Sequence, residues 1–480
     1  MNTAARAASW TGLKRRALSL GAVKAFDHAM HFLLPVVLTR CLDAATFGEY
    51  RLLWLVVGTV MALAPLNMPG GLYFFLPRSD ARTKRLYVHQ TMLFLAVSGV
   101  LFSVVLSPWN ALLPPAAHHL AAHGWQVPAF MALWVTTIML DYLPTIDERI
   151  RWQAYVTGSF TVARTALVAV AAWYSGDMGM ILWALLAVAL FKLALLLYYV
   201  RRHHGLGKPW FDRTLFVAQV RHTAPIGGST ALYSLRSQAD QWVAASVFAL
   251  SSFAAFSIAA IVGQVVHILR QSVLEAFMPT MSRVHASGDV RGMLAINSHN
   301  NVMVGALIYP ALGLVFAFAE ELVTIVYTSA YVEAAPVMRL YIVALLAMVV
   351  EVGSMVLLLK LGSYTLRLAA FTLALSVTVS WIGAHHLGLP GAALGSVIAI
   401  YIDRVLLLRR IARVTGIALR ELQDWGALAR SFALAAACSA LAWFLVERVL
   451  AQAGPMTRVA AGATLIALLY APLQFRRRKA

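Results

Sequence analysis

The chain contains 480 residues, of which 61% are hydrophobic and 12% are charged, and its formal net charge is +19. A mean hydropathy of +0.74 excludes a water-soluble protein of this size and indicates a polytopic membrane protein. Because Lys and Arg cluster in short segments between apolar runs, we interpret the positive charge as an orientation signal and expect no nucleic-acid partner.

Apolar runs close to the ~20 residues that cross a bilayer follow one another along the chain. They predict an all-α polytopic membrane protein with about fourteen transmembrane helices. The predicted spans are approximately 18–40, 52–77, 88–108, 126–146, 153–175, 178–200, 223–248, 252–278, 298–327, 334–360, 364–387, 390–408, 429–447 and 457–475. The basic N-terminus is followed by an apolar stretch too long for a cleaved leader, so we expect the first span to be retained.

The distribution of basic residues predicts the orientation. If the N-terminus is cytoplasmic, the segment Arg201–Arg221 and the basic C-terminal tail lie inside, whereas the outside segment Ser107–Gln126 has neither Lys nor Arg. The positive-inside rule therefore predicts an even number of spans with both termini in the cytoplasm.

Polar interruptions divide the predicted spans into two halves. We interpret 201–222 as a cytoplasmic linker between an N-terminal six-helix lobe, 1–200, and a C-terminal six-helix lobe, 223–408. The segment 409–430 is predicted to be a basic interfacial segment drawn to the anionic inner leaflet, and 431–480 to hold two additional transmembrane helices and a basic tail. Each half opens with a charged helix, which favours an internal repeat.

The first predicted span carries four polar residues on one helical stripe: Lys24, Asp27, His28 and His31, at spacings of three, four and seven. A charge near the bilayer centre costs about 2.5 to 3.5 kcal/mol, so the stripe must face protein or a water-filled cavity. The alternative is that Lys24 and Asp27 form a buried ion pair that only locks helix packing.

The seventh and eighth predicted spans also carry polar stripes. Tyr233, Arg236 and Asp240 share one helical face, and His267 and Arg270 share a face of the following span. Because exposing a charged side chain to lipid has a high free-energy cost, both faces must be directed towards protein or water.

Other acidic residues lie inside apolar runs. Asp141 and Glu351 must each pair, be protonated or line a water path. Asp403 stands beside Arg404 near a predicted helix end, and we interpret these two residues as a snorkelling pair rather than a site.

Motifs for catalysis are missing from the sequence. The chain has neither a phosphate-binding loop for ATP nor the signatures of metalloproteases and serine hydrolases, which predicts that it is not an enzyme and needs no cofactor. His118, His119 and His123 lie in an outside segment without nearby acids or cysteines. We interpret them as solvated loop residues and predict no metal site.

Four stretches resemble the polysaccharide-transporter branch of the multidrug, oligosaccharidyl-lipid and polysaccharide exporter superfamily. They are LLPVVLTRCLDAATFGEYRLL (Leu33–Leu53), DQWVAASVFALSSFAAFSIAAIVGQV (Asp240–Val265), FMPTMSRVHASGD (Phe277–Asp289) and AEELVTIVYTSAYVEAAPVMRLY (Ala319–Tyr341). The resemblance implies two six-helix lobes around a central cavity, with the last two spans outside both lobes. It also implies a bacterial inner-membrane protein that moves lipid-linked sugars to the outer leaflet.

The resemblance further implies that basic residues on the first helices of the two lobes meet the lipid pyrophosphate. These positions correspond to Lys24 and Arg236 in this sequence. The acidic residues close to them, Asp27 and Asp240, depart from that pattern and weaken the charge presented to the substrate.

The leading functional hypothesis is a flippase for undecaprenyl-pyrophosphate-linked oligosaccharide, working by alternating access driven by an ion gradient or the membrane potential. Its product would serve a surface polysaccharide such as an exopolysaccharide or lipopolysaccharide. Expected partners are membrane lipids, a polysaccharide polymerase and glycosyltransferases. The candidate substrate-binding residues are Lys24, Arg236, Arg51, Arg270, Tyr233 and His267, and the candidate ion-coupling residues are Asp27, Asp240, Glu351 and His28.

Two alternatives remain open from the sequence. A cation-coupled exporter of small drugs in the same superfamily would favour acids and aromatics over Lys and Arg in its cavity. A membrane-embedded glycosyltransferase or polymerase would need acids in an outside loop, but Ser107–Gln126 has none.

Overall fold

The computed structural model describes residues 25–105, 107, 110 and 117–475. Every regular element within these residues is a helix, and the chain divides into two compact units, Met1–Leu235 and Arg236–Ala480. The boundary between the units falls inside one continuous helix, Arg213–Val247.

The first unit begins with a helix over residues 25–41, which we call α1. The further helices of this unit are α2 (Ala44–Leu63), α3 (Met68–Phe75), α4 (Ala81–Val105), α5 (His118–Ala121), α6 (Gln126–Thr137), α7 (Leu143–Ile146), α8 (Ile150–Ser175), α9 (Met178–His203) and the first part of α10 (Arg213–Val247).

Local chemistry explains where several of these helices start. The carboxylate of Asp43 accepts hydrogen bonds from the backbone N–H groups of Ala45 and Thr46, at 2.9 and 3.0 Å, and so caps α2. Asp177 caps α9 through the N–H of Met180, at 3.2 Å. These side chains satisfy donors that the first turn of a helix leaves without an intrahelical partner.

The predicted span 52–77 is broken into α2 and α3. Pro65 follows the end of α2, and Leu66 and Asn67 adopt positive φ angles of 43° and 56°. The methyl group of Thr223 on α10 packs so closely on Gly71 that a side chain at this position would clash with it. The break therefore lets α10 approach the backbone of α3.

The second unit contains the rest of α10 and eight further helices: α11 (Leu250–Ala286), α12 (Val290–Ala317), α13 (Ala319–Tyr327), α14 (Ala334–Met348), α15 (Gly353–Leu358), α16 (Gly362–Thr415), α17 (Trp425–Val449) and α18 (Pro455–Phe475). The predicted basic segment 409–430 comprises the end of α16, a short 3₁₀ turn at Leu419–Glu421 and the start of α17.

The 54-residue stretch α16 is a helical hairpin. As one straight helix it would be roughly 80 Å long, far more than a bilayer is thick. Its backbone leaves the helical region at Gly388, where φ is +66°, and Gly395 then packs directly against the backbone of Ser376. The two arms match the separately predicted spans 364–387 and 390–408.

The last two helices pack on other helices of the second unit. The side-chain amide of Asn301 on α12 donates to Gln423, which precedes α17, at 2.8 Å. Arg458 on α18 lies 3.0 Å from Glu321 on α13 and also pairs with Glu447 on α17. Ion pairs and buried amides thus fasten α17 and α18 to α12 and α13.

Within the described part of the chain, nine helical stretches are long and apolar enough to cross a membrane, counting α16 once, and two apolar helices are shorter. Within these residues each predicted span coincides with one or more helices, and residues 18–24, 106 and 108 of the predicted spans lie outside the described residues. The predicted all-α polytopic membrane fold is confirmed.

Candidate functional site

The polar stripe on α1 meets α8. The Thr161 hydroxyl donates to Asp27 Oδ1 at 2.5 Å, and Arg164 Nη2 lies 3.9 Å from the same oxygen. Arg164 Nη2 also lies 2.9 Å from Nδ1 of His31. A guanidinium can only donate, so His31 accepts this bond as a neutral imidazole with its proton on Nε2. Lys24, the first member of the stripe, lies outside the described residues.

Arg164 is the centre of this arrangement. Only 6% of its surface is exposed, and its Nε has no hydrogen-bond acceptor within the part of the chain that the structure describes. Its guanidinium carbon lies 6.0 Å from the ring centre of Trp54. This buried cation therefore keeps a donor available, because its nearest carboxylate is beyond hydrogen-bonding distance.

Two other predicted site residues lie near the stripe. His28 is exposed and Arg51 is half-buried, and both are close enough to His31 to act on it electrostatically. The structure thus brings together Asp27, His28, His31 and Arg51, and adds Arg164.

A cluster of aromatic rings extends from Trp54 into the first unit. Trp54 lies edge-on to Trp134, with ring centres 5.7 Å apart, and Trp134 in turn lies 6.2 Å from Phe160. We call Trp54, Trp134 and Phe160 the aromatic cluster. Lys192 Nζ lies 5.2 Å from the ring centres of both Trp134 and Phe160.

In the second unit, Arg236 pairs with a residue that sequence reasoning dismissed. Arg236 Nη1 lies 3.8 Å from Asp403 Oδ1, and both side chains are largely buried. The interpretation of Asp403 as a snorkelling residue is wrong, because its carboxylate lies inside the unit beside a cation and does not extend to the surface.

Asp240 is held by a tyrosine hydroxyl and a backbone N–H group. It is 2% exposed, and its carboxylate accepts hydrogen bonds from the Tyr341 hydroxyl, at 2.7 Å, and from the backbone N–H of Gln241, at 2.8 Å. The Ser396 side chain on α16 lies close to the same carboxylate. Asp240 therefore occupies a polar site between α10, α14 and α16.

Three other predicted residues have separate surroundings. Arg270 Nη1 donates to the carbonyl of Met348 at 2.7 Å, so it binds the C-terminal end of α14. Tyr233 and His267 present exposed side chains.

Glu351 caps α15. Its carboxylate accepts from the N–H of Gly353 at 2.5 Å and from the hydroxyl of Ser354 at 2.6 Å. Its own backbone N–H donates to Asn301 Oδ1, and its carbonyl accepts from Asn297, at 3.0 and 3.1 Å. These contacts satisfy both carboxylate oxygens within the fold.

One histidine of the outside segment has a specific partner. His123 Nε2 lies 2.7 Å from Glu49 Oε1, and both side chains are mostly buried. The interpretation of His123 as a solvated residue is therefore wrong, whereas His118 and His119 are exposed. Hydrogen bonding to Glu49 raises the pKa of His123. Among the described residues, no group of His, Cys, Asp and Glu could hold a metal ion.

Arg164 and Lys192 are not among the site residues predicted from the sequence. Both are single basic residues inside apolar runs that the spans 153–175 and 178–200 already delimit. An unpaired cation inside the membrane has a high free-energy cost, so a basic residue within an apolar run is a candidate for a paired or functional role. This was the signal that could have identified both residues.

Three solved structures share this fold. The chain aligns with a lipid II flippase MurJ in an inward closed conformation at a TM-score of 0.67 and 12% identity, covering 96% of this chain and 99% of that one. It aligns with an outward-facing multidrug resistance MATE family transporter of the MOP superfamily at a TM-score of 0.56 and 16% identity, covering 84% and 96%. A MOP superfamily transporter from Pyrococcus furiosus aligns at a TM-score of 0.50 and 14% identity, also covering 84% and 96%.

No curated protein matches the chain in sequence. These structural alignments define the class of the fold, a multi-pass helical fold shared by MurJ and the MATE transporter. The family profile described as polysaccharide biosynthesis protein matches residues 13–285, more than half of the chain. The chain belongs to this polysaccharide biosynthesis protein family, as the resemblance implied.

Proposed function

We propose that this chain is a flippase that moves undecaprenyl-pyrophosphate-linked oligosaccharide across the bacterial inner membrane. Its orientation has both termini in the cytoplasm, and its product serves a surface polysaccharide such as an exopolysaccharide or lipopolysaccharide. A polysaccharide polymerase and glycosyltransferases are its expected partners. Family membership and the MurJ-like fold support a lipid-linked substrate.

The observation that carries the proposal is the buried guanidinium of Arg164. It keeps an Nε donor without an acceptor in the described part of the chain, and the Asp27 carboxylate lies 3.9 Å from Nη2. A planar guanidinium binds phosphate oxygens through parallel hydrogen bonds, and burial strengthens the interaction. A diphosphate group therefore suits this position better than a cationic drug does.

Fixed cations are needed because a pyrophosphate loses its hydration inside the membrane. That loss costs many kcal/mol when nothing compensates for it. Within the proposal, Arg164 joins Lys24, Arg51, Arg236, Arg270, Tyr233 and His267 as the substrate-binding residues.

Coupling to an ion gradient or to the membrane potential is assigned to Asp27, Asp240, Glu351 and His28. An acid that drives alternating access must bind its ion in one conformation and release it in another. Of these residues, Asp240 has the most suitable surroundings, because it is buried and its only described ligands are hydroxyl and backbone groups.

A second candidate function is the cation-coupled export of small drugs. It is favoured by the acid Asp27, which acts electrostatically on His31, and by Trp54, whose ring centre lies 6.2 Å from that of His31, because acids and aromatic rings together bind organic cations. The MATE fold likeness fits this alternative as well.

Reconstitution separates the two candidates. Liposomes containing the full chain are loaded with a fluorescent undecaprenyl-diphosphate oligosaccharide, and membrane-impermeant dithionite measures its movement between leaflets. We expect movement that depends on the protein and no efflux of a cationic dye. Dye efflux without lipid movement would contradict the proposal and support the drug exporter.

A further inference from the structure

A second buried cation, Lys192, lies in the first unit. Lys192 occupies the middle of α9, and its Nζ donates to Asp141 Oδ2 at 2.8 Å. Trp134 and Phe160 of the aromatic cluster flank the ammonium group, each at 5.2 Å. Cation–π contacts with these rings hold the lysine in place, but they do not neutralise its positive charge, which still requires an anionic partner.

The two partners of this pair are exposed to very different degrees. The side chain of Lys192 is 8% exposed, whereas that of Asp141 is 48% exposed. An ionised acid within a membrane-spanning stretch cannot face lipid without a large cost, so Asp141 faces a water-filled space. Lys192 can therefore be reached from that space at the place where Asp141 lies.

Asp141 lies at a break in its helix. It ends the 3₁₀ turn Ile138–Asp141 between α6 and α7, and Pro144 follows within the first turn of α7. A short 3₁₀ stretch inside a helical span is typical of a hinge, because its hydrogen bonds are weaker than those of an α-helix. Asp141 therefore lies on a segment that can bend. Lys192 lies on the continuous helix α9, between two aromatic rings.

The geometry points to Lys192 as a second binding site for the diphosphate of the lipid substrate, with Asp141 as the resident counter-ion that the substrate replaces. This inference rests on the proposed function and extends it to a specific contact. In the empty protein Asp141 neutralises Lys192. When a diphosphate approaches, the acid moves away and the phosphate oxygens take its place at the ammonium group.

The aromatic cluster lies between Lys192 and Arg164. Trp54 contacts Arg164 on one side and Trp134 on the other, and Trp134 contacts Lys192. Both cations therefore border the same aromatic cluster within one unit. A substrate that binds at this cluster meets a guanidinium fork and an ammonium point charge.

The test measures binding of farnesyl diphosphate, a short isoprenoid diphosphate, to the full chain in phosphatidylcholine nanodiscs by calorimetry. In Asp141→Asn the charge of Lys192 loses its competitor, so we expect the Kd to fall by about threefold. In Lys192→Met/Asp141→Leu no charge is left unpaired, so we expect normal folding and a Kd raised by about tenfold. The control Arg339→Met/Glu320→Gln removes an ion pair of the second unit and should leave the Kd unchanged.

If the pair of Lys192 and Asp141 has only a structural role, we expect the opposite results. The double variant would then fold and bind farnesyl diphosphate like the wild type, and Asp141→Asn would not tighten binding. Either result overturns the inference. If the wild type moves the labelled lipid in liposomes and these variants keep its Kd, only the role of Lys192 fails. If the wild type neither binds the diphosphate nor moves the lipid, the proposed function fails as well.

A membrane phospholipid could supply the same phosphate chemistry. The titration is therefore repeated in nanodiscs of phosphatidylglycerol, where we expect the wild-type Kd to stay within about twofold. A rise of about tenfold that disappears in Lys192→Met/Asp141→Leu would assign Lys192 to a lipid headgroup and overturn the substrate assignment.

Discussion

Arg164 on α8 donates from Nη2 to Nδ1 of His31 on α1 over 2.9 Å, although 133 positions separate the two residues in the chain. The contact explains how a polar stripe on the first helix is tolerated inside the membrane. Because Arg164 also lies 3.9 Å from Asp27, a single guanidinium serves two members of the stripe and binds α1 to α8.

Replacing Arg164 by lysine should reduce lipid movement by about tenfold. Lysine keeps the charge but loses the planar fork, and a charge-assisted hydrogen bond contributes about 1.5 to 3 kcal/mol. The measurement is the rate of lipid movement in liposomes at equal protein content. Arg339→Lys, in the partly exposed pair with Glu320, is the matched control and should keep the wild-type rate. An unchanged rate in Arg164→Lys would exclude a bidentate phosphate contact at this residue.

Removing Arg236 alone should destabilise the protein. The change Arg236→Met leaves Asp403 buried beside an apolar side chain, which costs about 3 to 5 kcal/mol for a buried pair. Arg236→Met/Asp403→Leu should recover the thermal stability, because neither charge remains. If the double variant is folded but moves lipid at less than about a tenth of the wild-type rate, Arg236 contributes to substrate binding. A wild-type rate would show that the pair serves only to hold helices together.

Replacing Asp240 by asparagine should separate coupling from binding. Asparagine still accepts a hydrogen bond from Tyr341, so the local fold is retained, but it cannot bind or release a proton or carry a negative charge. We expect the Kd for farnesyl diphosphate to stay unchanged and gradient-driven lipid movement to fall by about tenfold or more. Tyr341→Phe, which removes the hydroxyl and keeps the acid, should retain coupling. Full gradient dependence in Asp240→Asn would remove this residue from the coupling mechanism.

The pair of His123 and Glu49 should make stability depend on pH. Hydrogen bonding to Glu49 raises the pKa of His123, so the folded protein holds the proton more tightly than the unfolded chain does. The stabilisation is then fully present below the ordinary histidine pKa of about 6.5, and it is lost as the pH rises through the raised folded value.

Thermal unfolding at several pH values checks this sign. The wild type should exceed His123→Gln in melting temperature most at acidic pH, and the difference should shrink towards alkaline pH. His119→Gln, which changes an exposed residue of the same segment, should follow the wild type at every pH. A difference between the wild type and His123→Gln that grows with pH would contradict the assignment.

The sequence by itself determined the class of the fold and the approximate positions of its spans, although not the breaks within spans such as 52–77. Transfer free energy depends on consecutive residues, so the length of each apolar run was enough to delimit a span. The hairpin in α16 is an example, because Gly388 and Pro390 interrupt the helical pattern at the point where the backbone turns. The charged stripe on α1 was equally visible, since the spacing of its residues on a helix is a local property.

Only the tertiary structure decided which charges meet. Asp27 has Arg164 as its described cationic neighbour, Arg236 lies beside Asp403, and Lys192 lies beside Asp141. Such partners come from different helices, and the helical period shows which face a residue occupies but not which helix packs on that face. The energy that joins them depends on distance and on burial, and both quantities exist only after the helices have packed together.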